Sequence, residues 1–551
     1  MIERWSVGWR PYALIALLCF GLYLPGIATL PVTDRDEARF AQATRQMLET
    51  QDFLRIRFQD EARNKKPAGI YWLQSAAVAL LSTPESAAIW PYRVPSLLGA
   101  LAAALLTFAL GRALVGPTAA LLGAALLASS IGVVVEAHLA KTDAVLLATA
   151  VAAQGALGII YGAARQGRDK APWGWALLFW LAQAAAILVK GPVVPGLTLL
   201  TVAALSLADR DARWLRSLRP LWGLPLLLAI TAPWFIAITR ATGGAFLDQA
   251  AGHDFLGKLI GVQEAHGAWP GYYLVLLFLT FWPGSLLLGP AAAWAWQARG
   301  AVGERFLLAW ALPFWLLLEL VPTKLPHYIL PVYPAVALLV GRAVLAMAEQ
   351  RLVRRRWLEP IVLVLWLAAS LALALLLVLV PLRFAGALDI AGVVAAAILL
   401  GFGTRLALAA WRGGGGGLVA RAALLALLVL PPTLALVAPA LDGLWLSRSA
   451  AALVAHYRPP SSAPVVAVGY SEPSLVFLLG TATRQLSPDA AAQYITSARG
   501  AAALVSEPDD AAFHAALRRR GWEARAVGRV SGLDYSSGRA LALTLYTGAP
   551  G

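Results

Sequence analysis

The sequence has little charge for its length. Only 14% of its 551 residues are charged, against about 25% in soluble proteins. Hydrophobic residues make up 59% of the chain and mean hydropathy is +0.68, which excludes an ordinary soluble domain. The net charge is +15, but the arginines lie mostly in short gaps between apolar runs. Membrane topology therefore accounts for them, and no nucleic-acid partner is predicted.

Cysteine is almost absent as well. The one cysteine, Cys19, lies inside the first apolar run, so the chain has neither a disulfide framework nor a thiolate metal site. This run is too long for the apolar part of a signal peptide and no small-residue cleavage site follows it, so we expect a retained transmembrane helix. The sequence shows no phosphate loop and no nucleophile elbow. The glycines at 413–417 are predicted to form a flexible connector.

Long apolar runs are abundant, and they predict a polytopic α-helical membrane protein. A span needs about 20 mainly apolar residues. Thirteen runs qualify: 11–30, 93–113, 117–135, 143–163, 173–190, 193–207, 220–239, 271–297, 304–321, 329–346, 358–381, 387–409 and 417–440. Every second gap is basic, which predicts a cytoplasmic amino terminus. With an odd number of spans, the tail lies on the opposite side.

The tail after residue 440 has a different pattern. Apolar stretches of strand type occur at 465–470, 483–487, 501–507 and 539–547, and helical patterns at 473–479, 488–498 and 509–521 separate them. This alternation predicts a small α/β domain. We therefore divide the chain into a membrane domain, 1–440, and an α/β domain, 441–551.

Two loops on the side of the tail are long, and long ordered loops are usually functional. The first, 31–92, contains the acidic stretch TDRDEARF with Asp36 and Glu37. Apolar positions at helical spacing follow, which predicts an amphipathic helix; Asp34 and Glu37 also fit a helix-capping box. The second loop, 240–270, contains His253.

Two shorter loops add charges to the same side. One is EAHLAKTD, which contains Asp143, and the other is TKLPHYILP, which contains Lys324 and Tyr328. An isolated charge near the bilayer centre costs about 2.5–3.5 kcal/mol, so such groups are usually paired and functional. Acids, histidines and cations from four loops therefore predict a reaction centre on one face of the membrane.

These residues resemble a known family. An Asp-Glu pair after the first span, a Lys-Pro-x-x-x-Tyr-Trp segment and KLPHYILPVYPA at 324–335 are similar to the bacterial lipid A aminoarabinose transferases. More broadly, the chain resembles the GT-C glycosyltransferases of the protein O-mannosyltransferase type. The resemblance implies a bacterial inner-membrane enzyme that transfers a hexosyl or pentosyl group from a polyprenyl (undecaprenyl) phosphate to lipid A or another glycolipid. Transfer would occur on the periplasmic side.

The resemblance also implies roles for individual residues. The catalytic carboxylates are Asp36, with Glu37 beside it, and Asp143. Contacts to the donor phosphate fall on the following residues: Lys65, Lys66, Tyr71, Lys324 and Tyr328. His253 is implied as a metal ligand or phosphate contact.

One position departs from the family. Relatives usually have Glu-Lys-Pro, and here Lys65 stands in place of the glutamate. A divalent ion such as Zn²⁺, Mg²⁺ or Mn²⁺ is a possible cofactor, because oxygen and imidazole ligands suit these ions. We expect the anomeric carbon to be inverted by a single displacement.

Other functions share parts of this pattern. A protein O-mannosyltransferase-like enzyme would glycosylate secreted proteins with the same machinery. A lipid-linked sugar ligase would not need the acid pair after the first span. A transporter or flippase is expected to show internal repeats and mid-membrane charges, whereas the charges here cluster at one interface. A membrane scaffold with an outward interaction domain is the remaining alternative.

Overall fold

Long apolar helices form most of the molecule. The computed structural model describes residues 2–33, 35–167, 171–250, 267–353, 355, 357–415, 417–457, 463–497, 500–534 and 536–550. The helices before the tail are α1 (Arg10–Tyr23), α2 (Asp36–Thr50), α3 (Gly69–Leu81), α4 (Trp90–Val115), α5 (Pro117–Ser129), α6 (Ile131–Ala137), α7 (Asp143–Arg165), α8 (Trp173–Lys190), α9 (Val193–Asp209), α10 (Pro220–Ala241), α11 (Ala245–Leu247), α12 (Tyr272–Thr280), α13 (Leu288–Gln297), α14 (Val302–Leu320), α15 (Tyr333–Ala348), α16 (Leu358–Phe384), α17 (Ile390–Trp411) and α18 (Gly417–Pro432).

Short turns of helix connect several of these elements. They are Ile2–Trp5, Arg213–Leu218, Gly284–Leu287, Pro326–Val332, Thr433–Val437, Ala438–Ala440 and Asp442–Leu444. Two short strands, β1 (Arg57–Phe58) and β2 (Glu61–Ala62), form an antiparallel hairpin in the first long loop.

The predicted spans all fall on helices. Within the described residues, eight helices are long and apolar enough to cross a membrane, and the number rises to ten if each of two bent pairs counts as one span. The other three predicted spans fall on α1 and α9, which are short apolar helices, and on α14, which contains Glu304, Arg305 and Glu319. The polytopic helical fold is confirmed, whereas the count of thirteen stays a prediction.

The first long loop folds back into the protein. Its predicted amphipathic helix is α2, and the apolar positions Phe40, Thr44 and Met47 are buried. Ten of the fifteen residues of α2 are buried, so the helix packs on most of its sides. The predicted capping box of Asp34 and Glu37 stays a prediction, because Asp34 lies outside the described residues; the residue directly before α2, Arg35, makes no side-chain cap.

Two glycines bring the loop-facing ends of the membrane helices close together. A Cβ on Gly99 would lie 2.8 Å from the backbone of Ala144 at the start of α7. A Cβ on Gly69 would lie 2.6 Å from the carbonyl oxygen of Leu188 near the end of α8. Small residues allow such close approach of backbones in membrane bundles. The start of α7 therefore lies against α4, and the start of α3 lies against the end of α8.

The tail contains a five-stranded mixed sheet with the strand order β4-β3-β5-β7-β6. Strand β3 is parallel to β4 and β5, whereas β7 is antiparallel to β5 and β6. Its elements are α19 (Leu446–Tyr457), β3 (Val465–Val468), α20 (Pro473–Leu479), β4 (Arg484–Gln485), α21 (Pro488–Ser497), β5 (Ala502–Ser506), a short turn of helix (Glu507–Asp509), α22 (Asp510–Arg518), β6 (Trp522–Asp534) and β7 (Arg539–Pro550). Helices cover both faces of the sheet.

The predicted strands and helices of the tail are present, but the prediction omitted β6. This strand is 13 residues long and partly exposed, and a bulge between Ala526 and Gly528 interrupts its register with β7. A bulge adds one residue and breaks the alternation of inward and outward side chains, so the period-two pattern is lost from the sequence. The division at residue 440 stays a prediction.

Candidate functional site

The helix α2 begins at Asp36, whose side chain is exposed. The residue before it, Arg35, has a φ of 64°, a left-handed conformation that is uncommon for residues other than glycine. The Arg35 guanidinium donates to the Ser536 carbonyl oxygen at 3.0 Å and to the Ser536 Oγ at 3.3 Å. A contact with the tail therefore fixes the turn that presents Asp36.

Next to Asp36, Glu37 is completely buried and forms an ion pair with Arg93. The Arg93 Nε and Nη2 atoms donate to the two carboxylate oxygens at 2.8 and 2.9 Å. The backbone amides of Ala140 and Thr33 each donate to Glu37 at 2.8 Å. Burial alone raises the pKa of Glu37, but the charge of Arg93 and these hydrogen bonds outweigh it and hold the pKa below its usual value. Glu37 thus joins three segments of the chain.

Arg93 was not singled out in the sequence. Besides Glu37, it donates to the carbonyl oxygens of Ile27, Leu30 and Pro31 at 2.7–2.9 Å. Arg93 could have been identified from the sequence as an arginine at the outward start of an apolar run, because a charge at that position needs partners. Arg93 and Glu37 together hold the end of the first span against the start of α2.

A second group of charges lies where α6, α7 and α8 meet. The Lys141 ammonium is 3.0 Å from a Glu136 carboxylate oxygen, and the Lys190 ammonium pairs with Asp143. The His327 Nε2 atom is 3.9 Å from the same Asp143 oxygen. All five side chains are at least largely buried. The buried carboxylates are thus paired with ammonium groups, and the reaction centre predicted from the sequence stays a prediction.

The charge of Asp36 reaches this group. Burial lowers the pKa of Lys141, but the carboxylates of Glu136 and Asp143, with a smaller contribution from Asp36, raise it above its usual value. Asp36 on the first loop and Asp143 on α7 therefore act on the same ammonium group. The first long loop also meets the EAHLAKTD loop directly, because Glu37 accepts from the backbone amide of Ala140 at 2.8 Å.

A cavity of about 470 Å³ opens beside these charges. One end is lined by Asp143, Lys190 and His327, together with Lys65 and Lys66 of the first loop. The rest of the wall is apolar, with the following residues among those that line it: Leu146, Ile187, Phe235, Phe246 and Phe314. A cavity with a cationic end and an apolar wall suits a ligand with an anionic head and a hydrocarbon chain.

The structure places some of the predicted site residues at the cavity and others away from it. The structure places Lys65, Lys66, Asp143 and Tyr328 at the cavity. His253 lies outside the described residues.

Two predicted phosphate contacts do not line this cavity. The ring of Tyr71 is fully buried beside Phe40, and its hydroxyl oxygen accepts from Arg63 at 3.4 Å. The Lys324 ammonium is buried and donates to the Val321 carbonyl oxygen at 2.6 Å. Their predicted contacts with a donor phosphate stay predictions.

Lys190 is the residue of the cavity that the sequence interpretation missed. It ends the apolar run of α8, just before Gly191 and Pro192. The alternation of the spans places this end of α8 on the same side as Asp143, which was the available signal. Its ammonium also lies 5.4 Å from the centre of the Tyr328 ring, within the range of a cation–π contact.

Three groups are close enough to hold a metal ion. The ligand atoms of Glu136, Asp143 and His327 lie within 4.8 Å of one another, and two carboxylates with an imidazole suit Zn²⁺, Mg²⁺ or Mn²⁺. However, the ammonium groups of Lys141 and Lys190 already pair with the two carboxylates. A divalent ion would have to displace both or bind beside them, so this ligand set fits a metal poorly.

Comparisons with known proteins agree with this architecture. Residues 14–241 match the family model described as dolichyl-phosphate-mannose-protein mannosyltransferase. The undecaprenyl phosphate-alpha-4-amino-4-deoxy-L-arabinose arabinosyl transferase of Edwardsiella ictaluri is 27% identical over 336 residues, which cover 61% of this chain and 59% of that protein. One from Pseudomonas fluorescens is 30% identical over 345 residues, covering 62% of this chain and 60% of that protein. The alignments thus cover about three fifths of these relatives.

The same fold occurs in a solved structure. The crystal structure of ArnT from Cupriavidus metallidurans bound to undecaprenyl phosphate superposes with a TM-score of 0.73, covers 97% of each chain and is 21% identical. The chain therefore has the fold of this crystal structure. In sequence it is similar to the aminoarabinose transferases, which its motifs also resemble.

Proposed function

We propose that the chain is an integral-membrane glycosyltransferase. It moves a sugar from a polyprenyl (undecaprenyl) phosphate to lipid A or a related envelope glycolipid. The observation that carries this proposal is the cavity, which is lined by Lys65, Lys66, Lys190 and Asp143 together with apolar side chains. The names of the curated relatives and the undecaprenyl phosphate in the similar crystal structure support the same donor class.

The reaction requires one bond to form and one to break at the anomeric carbon. The acceptor hydroxyl oxygen attacks this carbon from the side opposite the phosphate, and the carbon–oxygen bond to the phosphate breaks. The electron pair stays on the phosphate oxygen, the acceptor proton passes to Asp36, and the configuration inverts. Asp36 has the exposed carboxylate that such a general base needs.

The lysine ammonium groups that line the cavity stabilise the leaving phosphate. Lys66 and Lys190 line the cavity from two different segments, and positioned cations stabilise charge that develops in a transition state. Asp143 holds the Lys190 ammonium at the cavity wall through its ion pair. Glu37 has a positioning role beside Asp36, because its two oxygens already accept from Arg93 and from the backbone.

The lysines also bear on the predicted divalent cofactor. Because Lys141 and Lys190 pair with the two carboxylates of the possible metal group, we expect transfer to need no added metal. Transfer by the purified protein should keep its rate after treatment with EDTA and passage over a desalting column. A loss that Zn²⁺, Mg²⁺ or Mn²⁺ restores would instead establish a metal requirement.

The role of Asp36 can be tested directly. Asp36→Asn should lower transfer by about 100-fold or more, since a general base contributes about 10²–10⁴-fold. The assay is transfer from undecaprenyl phosphate-4-amino-4-deoxy-L-arabinose to lipid A by purified protein in liposomes. Glu61→Gln, an exposed acid in the same loop, is the matched control and should keep wild-type activity. Wild-type activity in Asp36→Asn would refute the assignment.

Lys66 tests the donor phosphate site. Lys66→Ala should mainly raise the KM for the donor, because the ammonium is removed from the cationic end of the cavity. A change in kcat alone, with an unchanged KM for the donor, would count against a role in donor binding.

We further propose that the protein lies in the bacterial inner membrane with its amino terminus in the cytoplasm. The tail and the first loop then both face the periplasm, and their contacts through Arg35 and Ser536 support a common side. A cysteine at the exposed position Glu61 should react with a membrane-impermeant maleimide in intact cells. Labelling only after lysis would show that position 61 lies in the cytoplasm and would contradict this topology.

A second acceptor class has its own support. The protein mannosyltransferase model matches 14–241, which includes both acidic loops that carry Asp36 and Asp143. A secreted protein is therefore the alternative acceptor. Mass spectrometry of lipid A, other glycolipids and envelope proteins, with and without the chain, distinguishes the two by which fraction loses a sugar.

A further inference from the structure

The tail inserts one aromatic ring into the first loop. Phe477 of α20 (Pro473–Leu479) is fully buried, and its neighbours in this small core come from the membrane domain: Val32, Ala38, Ala41, Val78, Ile89, Tyr92 and Ala140. Its ring meets Tyr92 edge to face at 5.4 Å between centroids. Among the described residues of this core, Phe477 is the one buried residue that the tail contributes.

A buried arginine stabilises the contact between Phe477 and the first loop. The side chain of Arg45 on α2 is 3% exposed, and its guanidinium donates to the carbonyl oxygens of Phe477, Pro84 and Ser86 at 2.6–2.7 Å. It also lies 5.0 Å from the Phe477 ring centre. A planar guanidinium with donors in fixed directions can satisfy three carbonyl groups at once, and a lysine cannot reproduce this geometry.

Further contacts follow α2 along its length. Gln42 donates to the Thr481 Oγ1 atom at 2.7 Å, and Thr481 donates to Glu49 at 2.8 Å. At the other end of the helix, Arg35 donates to Ser536. The tail therefore holds both ends of α2, a helix that is about 22 Å long at 1.5 Å per residue.

The core around Phe477 is directly connected to the reacting groups. Ala38 lies two residues after Asp36 on α2, and Ala140 precedes Lys141 and donates its amide hydrogen to Glu37. Any shift of Phe477 thus acts on the two segments that present Asp36 and Lys141. A misplacement of about 1 Å can cost about 100-fold in rate.

We propose that the C-terminal tail positions the catalytic loop, with Phe477 and Arg45 as the positioning residues that set the place of Asp36. This inference rests on the proposed function, since it assigns Asp36 to the reaction. Neither residue touches the cavity, so the donor binds as before when they are changed. The tail then acts as a structural part of the reaction centre.

The structure offers a matched pair of variants. Phe477→Ala removes a fully buried ring that contacts the first loop, whereas Phe513→Ala removes a fully buried ring from the other face of the tail sheet. Phe477→Ala should lower kcat by about 10- to 100-fold, with little change in the KM for undecaprenyl phosphate-4-amino-4-deoxy-L-arabinose. Phe513→Ala should keep kcat within about twofold below its unfolding temperature. Equal kcat values, or an effect of Phe477→Ala on KM alone, would overturn the proposal.

Hydrogen exchange separates this proposal from the assignment of Asp36. Phe477→Ala should increase deuterium uptake by the amides of 36–50, and Phe513→Ala should not. Faster uptake with an unchanged kcat would show that the contact is real but does not position the reaction centre. Activity in Asp36→Asn would refute the catalytic assignment without changing the exchange result.

A second variant covers the case in which Phe477→Ala fails to fold. Arg45→Lys keeps the charge but loses the three-carbonyl geometry. It should lower kcat more than it raises the KM for the donor, and it should increase uptake in 36–50. Wild-type kcat in a folded Arg45→Lys protein would overturn the proposal as well.

Discussion

The two ends of helix α7 both place buried acids beside cations, but the cations differ. At its start, Asp143 pairs with Lys190, and the nearby Glu136 pairs with Lys141. At its end, about 33 Å away at 1.5 Å per residue, Arg165 lies 3.7 Å from Asp209. One end uses lysine and borders a cavity, whereas the other uses arginine.

At the arginine end, the carboxylates are occupied by hydrogen bonds and ion pairs within the protein. Asp209 accepts from the Tyr161 hydroxyl at 2.7 Å and also pairs with Arg305. Nearby, Glu304 accepts from Arg342 and Trp294 at 2.9–3.0 Å. A guanidinium holds a carboxylate in a rigid fork, whereas an ammonium is a compact charge on a flexible stem. We infer from the comparison that the arginine end holds helices together, whereas at the lysine end an ammonium group can turn from its carboxylate toward the phosphate of the proposed donor.

Removing one acid from each end gives the largest expected difference. Asp143→Asn leaves Lys190 without its carboxylate and should lower kcat/KM by about 100-fold or more, the size of the loss when a charge-stabilising group is removed from a reaction centre. Asp209→Asn should lower the free energy of unfolding by about 1–3 kcal/mol, the cost of unmade hydrogen bonds to a charged group. Steady-state kinetics and thermal unfolding on both variants make the comparison.

Below its unfolding temperature, Asp209→Asn should have the same kcat and KM as the wild type. If this variant loses transfer as strongly as Asp143→Asn does, the distinction between a structural end and a reacting end is wrong.

Exchanging the two kinds of cation gives a smaller effect. Lys190→Arg keeps the charge but fixes it in a fork toward Asp143, so kcat should fall by about 10-fold, as for a positioned group in the wrong geometry. Arg305→Lys at the opposite end should leave kcat unchanged and lower thermal stability slightly. If Lys190→Arg has the same kcat as the wild type, the reaction does not depend on the flexibility of the Lys190 side chain.

The smallest predicted effect is the pH dependence of Glu37. Its pKa is lowered in the folded protein because the charge of Arg93 and the hydrogen bonds outweigh burial. Its contribution to stability is therefore fully present above about pH 4.3, the usual pKa of glutamate, and is lost as pH falls through the lower folded value. Glu37→Gln should be less stable at pH 7 and less sensitive to acid, which thermal unfolding at several pH values can measure. If Glu37→Gln is as sensitive to acid as the wild type, Glu37 does not contribute to the pH dependence of stability.

Much of this organisation could be predicted from the sequence because a bilayer imposes strong rules. Apolar runs and basic gaps indicated the helices, and the motif residues Lys66, Asp143 and Tyr328 do line one cavity. The positions of Tyr71 and Lys324, which do not line it, could not be predicted, because a motif fixes the order of residues and not the direction of their side chains. Lys190 and Arg93 were missed because each looks like the end of an apolar run until its partner is known. Strand β6 was missed because its bulge breaks the alternating pattern.

The contacts of the tail with the first loop could not be derived from its own sequence either. Phe477 reads as part of an ordinary apolar helix, PSLVFLL, and only the structure shows that its ring packs against the first loop. Contacts between segments more than 400 residues apart in sequence, such as Arg45 with Phe477, leave no local pattern.

The most direct test is the stoichiometry of transfer by purified protein in liposomes. Mass spectrometry would quantify both the sugar gained by lipid A and the undecaprenyl phosphate released from the donor. We predict equal amounts of the two products for the wild type and neither product for Asp36→Asn. Sugar transfer without release of undecaprenyl phosphate, or turnover by Asp36→Asn, would contradict the account.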